Sequence, residues 1–114
     1  MSKADQRDAH RYEALKRSVV DLGLFRRGSL VRRFMPCGKH GCRCQAASPT
    51  LHGPYYQWTR KVAGKTVTVR LSPQEAKLLE EWIANARHLN RLIAHMEGVS
   101  LRRTDRLLNK LRGS

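Results

Sequence analysis

Four candidate metal ligands fall within sixteen residues of this chain: Cys37, Cys42, Cys44 and His52, spaced C-x4-C-x-C-x7-H. Zinc accepts thiolates and imidazole tetrahedrally, and structural zinc sites are closed by four protein ligands. Gly38 and Gly41 lie inside the loop and permit the positive backbone angles a short loop needs to curl around an ion. His40, between the first two cysteines, is a second candidate for the fourth place, ranked behind His52. The expectation is one structural Zn2+ per chain, tying the segment before the loop to the segment after it. A catalytic zinc needs an open position and a nearby acid or base, and no Asp or Glu is close in sequence. Incidental thiols, or a nucleophilic cysteine activated by Arg43, would leave the spacing unexplained.

Three cysteines are an odd number and argue for ligands over a disulfide framework. The opening MSKADQRDAHRYEALK is charged, without an apolar signal core, and no run approaches the roughly 20 apolar residues that span a bilayer. A cytoplasmic protein without a membrane partner is expected. At 114 residues the chain has room for one modest core, which a metal would help to stabilise. The expected division is a zinc-stabilised domain over 1–98 and a basic amphipathic helical tail over 99–114.

Tyr12, Leu15, Val19 and Leu22 recur at helical spacing and Gly23 follows, which predicts a helix from about Asp5 to Leu22. Ser29 to Met35 is short and rich in β-formers, a strand. The stretch Cys37 to Pro54 reads as loop. Tyr55 to Leu71 reads as two strands around Ala63-Gly64, pairing Arg60 with Val67, Trp58 with Val69 and Tyr56 with Leu71. Ser72-Pro73-Gln74-Glu75 is a helix start, with a capping serine, proline at the first turn and a glutamate that completes a capping box. Leu79, Trp82, Ala86, Leu89, Ile93 and Met96 then form a helical stripe, which Gly98 is expected to interrupt. The fold class is α+β: an N-terminal helix, a three-stranded antiparallel sheet with a zinc-binding loop, and a long C-terminal helix.

The formal charge is +14, and no Asp or Glu occurs between Leu22 and Gln74. So large an excess repels itself unless an anion is bound. Arg26, Arg27, Arg32, Arg33, Lys39 and Arg43 suit phosphates, which give affinity without sequence choice. Period-two alternation puts Gln57, Thr59, Lys61, Thr68 and Arg70 on one face of the hairpin, with Lys65 beside its turn. These side chains match base edges in the DNA major groove. A merely solvated face would mix charge signs.

The blocks CGKHGCRC and HGPYY resemble a group of short, uncharacterised bacterial and archaeal proteins with a CGK-x-x-C-x-C and HGPYY signature, classed as a domain of unknown function. The likeness covers roughly Gly28 to Met96. It implies a companion of mobile genetic elements and brings no activity with it. The order of hairpin and helix is also similar to the arm-type DNA-binding domains of tyrosine recombinases, which lack the cysteine loop.

The expected function is binding of nucleic acid, duplex DNA above all, through the basic sheet face, without catalysis. Two other readings stand beside it. An RNA- or ribosome-binding zinc protein fits the size and charge equally well. An interaction subunit would use the stripe from Leu79 to Met96 to form a homodimer or to dock on a larger recombinase or transposase.

Overall fold

Ala63 and Gly64 both take positive φ, 50° and 81°, the backbone that a two-residue turn needs to match the right-handed twist of its strands. In the computed structural model, which describes residues 2–36, 41–43 and 51–113, this turn joins the second and third strands of a three-stranded antiparallel sheet. The elements in chain order are α1 (Lys3–Val20), β1 (Ser29–Met35), β2 (His52–Val62), β3 (Lys65–Leu71) and α2 (Pro73–Arg112). The sheet order is β1-β2-β3. The fold class is α+β, as expected.

All three expected pairings of the hairpin occur: Arg60 opposite Val67, Trp58 opposite Val69, and Tyr56 opposite Leu71. On the other side of β2, Leu30 faces Trp58 and Val31 faces Gln57. β2 starts at His52, within the stretch expected to be loop. The extension is possible because the register shifts between Arg33 and Met35, which brings Met35 opposite His52. Gly53 makes this close passage feasible. Its φ is 144°, and an added Cβ would stand 2.7 Å from the Arg33 carbonyl oxygen and 3.0 Å from Phe34.

The chain forms two compact units, 25–84 and 1–24 with 85–114. The first holds the sheet and the opening turns of α2. There Ala76, Leu79 and Ile83 of α2 pack with Trp58 and Leu71, joined by Leu30, Tyr56 and Trp82. Apolar burial of this kind drives the packing. The capping box closes as the sequence predicts: Ser72 N–H donates to Glu75 Oε1 at 2.9 Å, and Glu75 N–H donates to Ser72 Oγ at 3.1 Å.

The second unit pairs α1 with residues 85–112 of α2 around Leu15, Leu92 and Val99, with Tyr12, Val19 and Met96 alongside. The interruption expected at Gly98 is absent, since α2 continues to Arg112. A helical glycine costs only about 1 kcal/mol relative to alanine, and burial of neighbouring Val99 offsets it. Residues 99–112 are therefore part of this helical unit, and the helix boundary expected for a separate tail does not exist.

Arg106 donates to both Asp5, at 2.8 Å, and Asp8, and Arg102 also reaches Asp8. These hydrogen bonds from Arg106 hold both carboxyls below the ordinary aspartate range. A carboxylate with a lowered folded pKa stabilises the fold above its unfolded pKa and loses that contribution as pH falls through the folded value. The helical unit is therefore expected to lose thermal stability below pH of about 4. Arg106→Ala should flatten this loss, leaving a smaller slope from Glu75, whose carboxyl is lowered by its bond from Ser72. Helical circular dichroism melts from pH 7 to pH 2 would read it, and an unchanged slope in the variant would contradict the pairing.

Candidate nucleic-acid interface

The strand register divides the sheet into two unlike faces. Away from the buried cluster, successive rows run Ser29-Thr59-Thr68, Val31-Gln57-Arg70 and Arg33-Tyr55, with Lys61 opposite Thr66 toward the turn. Neighbours in these rows hold one another. The Thr59 and Thr68 hydroxyls are 3.1 Å apart, Lys61 Nζ donates to Thr66 Oγ1 at 2.9 Å, and Arg33 Nη1 donates to Gln57 Oε1 at 3.4 Å. Arg70 lies over the Tyr55 ring at 4.1 Å from its centroid. Long cationic side chains braced in this way lose less freedom on meeting a ligand.

Gln57, Thr59, Lys61, Thr68 and Arg70, expected together from period two, do share this outer face, and Arg33 joins them from β1. The remaining expected residues are elsewhere. Arg32 is opposite Tyr56 and Lys65 opposite Val62, so the pleat directs both to the other face; Arg32 lies over Phe34. Arg26 and Arg27 gather at Trp58, away from the outer face. Arg26 stacks on the indole at 4.5 Å, and the Arg27 carbonyl accepts from Trp58 Nε1 at 3.1 Å. Sequence reasoning missed Arg60, which stacks on the same indole at 4.0 Å. Its only signal was a charge at an apolar register position.

Gly28 makes the approach to Trp58 possible. Its φ is 129°, and a Cβ there would stand 2.5 Å from the Thr59 carbonyl oxygen and 2.6 Å from Trp58 Nε1. Any other residue would meet both backbone strain and collision.

Of the expected zinc ligands, Cys42 and His52 are in contact, with Sγ 3.0 Å from Nε2. Cys37 and Cys44 lie outside the described residues, as do Lys39 and His40. Among the described residues no group of three or more metal-ligating side chains occurs. The Cys42–His52 pair has the donor types zinc accepts, but at 3.0 Å it stands at the distance of a direct S···N contact, closer than the roughly 3.5 Å between a thiolate and an imidazole on one tetrahedral ion. Arg43 follows Cys42 directly. The start of β2 thus carries His52 to Cys42, while the same strand's outer side chains populate the basic face.

The stripe expected to dock a partner is largely used within the chain. Leu79 and Ala86 are buried, Trp82 packs on the sheet cluster and Met96 on the helical one, while Ile93 stays about half exposed. No helix among the described residues is long and apolar enough to cross a membrane.

A family model described as "Domain of unknown function (DUF6788)" matches residues 5–81. The matched stretch includes α1, which the resemblance noted from the motifs did not reach, together with the cysteine loop and all three strands. No curated protein and no solved structure matched the chain.

Proposed function

We propose that this chain, which belongs to the DUF6788 family of domains of unknown function, binds nucleic acid, duplex DNA in the first place, through the outer face of its sheet. The observation that carries the reading is the braced basic face itself: Arg33, Lys61 and Arg70 around Gln57, Thr59 and Thr68, within a stretch that has no acid from Leu22 to Gln74. Guanidinium and ammonium groups supply phosphate contacts, and glutamine and threonine can meet base edges. A two-stranded ribbon or small sheet is one of the shapes the major groove admits. Zinc would be held by Cys42 and His52 together with Cys37 and Cys44, and would supply a structural cross-link at the start of β2. No catalytic step is part of this reading.

Fluorescence anisotropy with a labelled 20-base-pair duplex tests it. Lys61→Gln combined with Arg70→Gln should weaken binding about tenfold or more at moderate salt, the size expected for two lost charged contacts. The charge-matched control Lys77→Gln with Arg87→Gln, on the exposed side of α2, should bind like the parent. Equal losses in both pairs would show that charge alone matters and remove the sheet face from the proposal. Better competition by single-stranded RNA than by duplex DNA would overturn the choice of DNA.

A further inference from the structure

Where β2 runs past the start of β1, whose pairing begins at Ser29 opposite Thr59, a cleft of about 680 Å³ is lined by Arg26, Arg27, Arg60, Lys61, Thr66 and Trp58, among others. Its size is within the roughly 300–1,000 Å³ of small-ligand sites. Arg26 and Arg60 both stack on the Trp58 ring, at 4.5 and 4.0 Å from its centroid. Two formal positive charges thus share one indole, and none of the residues lining the cleft is acidic. Arg60 Nη1 is enclosed and meets no hydrogen-bond acceptor. A buried guanidinium N–H without an acceptor is costly, and an incoming oxyanion would relieve both the unmet bond and the mutual repulsion.

We infer that this cleft seats a phosphate group, namely the terminal phosphate of a nucleic-acid strand; the inference rests on the nucleic-acid reading above. The side-chain groups around it are predominantly donors, so they call for a ligand rich in acceptors. Trp58 is buried, covered by guanidinium groups and held at its Nε1 by the Arg27 carbonyl, so its ring is not open to a base and the phosphate is the recognised part. A phosphate monoester carries about −1.5 to −2 near pH 7, against −1 for an internal diester. Four clustered cations favour the more highly charged end.

The test uses the full chain and two DNA hairpins that differ only in a 5′-phosphate or a 5′-hydroxyl. Trp82→Phe leaves Trp58 as the reporting fluorophore, because the chain has two tryptophans. The phosphorylated hairpin should bind about tenfold more tightly, the worth of one or two charge-assisted hydrogen bonds, and should perturb Trp58 emission. Arg60→Gln and, separately, Arg60→Met should abolish the preference while leaving affinity for the hydroxyl hairpin within about twofold. Thermal melts identify whichever variant remains folded, and the folded one decides. Equal affinity for the two ends, or a preference that survives in a folded variant, overturns the seat but not the outer face. Failure to bind either hairpin overturns both. A nucleoside monophosphate that binds as tightly as the phosphorylated hairpin would also overturn a strand-end role.

Discussion

Raising monovalent salt from 50 to 200 mM should lower the affinity of this protein for a DNA duplex by about a thousandfold or more. Each phosphate that a cation neutralises releases condensed counterions, and six to ten such contacts correspond to losses of about 10³–10⁵ over that range. Arg33, Lys61 and Arg70 on the outer face, with Arg26, Arg27 and Arg43, would reach six. The +14 formal charge adds long-range attraction, which ions screen within about 10 Å at 0.1 M. A plot of log K against log salt should slope by roughly −5. A slope shallower than about −2 would mean that few phosphates are touched, and the basic face would then be a solvated surface.

The second large effect concerns the metal. Protein purified without added zinc should contain about one zinc per chain, and chelation should destabilise the sheet unit by several kcal/mol, since a structural metal's binding energy is folding energy. Cys42→Ser should do the same. The two units have separate cores, one around Trp58 and one around Leu15, Leu92 and Val99. Tryptophan emission should therefore change while much of the helical circular dichroism persists. His52→Ala should follow Cys42→Ser, and His40→Ala should not. Metal-free protein with unaltered melting and tryptophan emission would exclude the structural site.

Much of the fold was legible where local chemistry is decisive. Ser72 and Glu75 specify a helix start by hydrogen bonds to each other's backbone. Ala63-Gly64, placed between two β-rich runs, sets the hairpin register, and the register then sorts Gln57, Thr59 and Arg70 onto one face. Features decided by distant neighbours were less legible. His52 joins a strand because the register shift opposite Gly53 extends the pairing, and no propensity of His-Gly-Pro announces it. Gly98 stays helical because Val99 is buried. The stacking of Arg26 on Trp58, beside Arg60, joins residues more than thirty positions apart, and it depends on Gly28 lying against the indole.

The sheet has two edges, β1 and β3, and each carries a pair of cations: Arg32 and Arg33 on one, Lys65 and Arg70 on the other. Sheet edges are templates for unwanted pairing with other chains, and charged side chains along them are a common deterrent. The residues that would attract a polyanion thus also keep copies of the protein apart. Variants stripped of these charges to probe binding should be checked for aggregation first, because solubility and affinity draw on the same side chains.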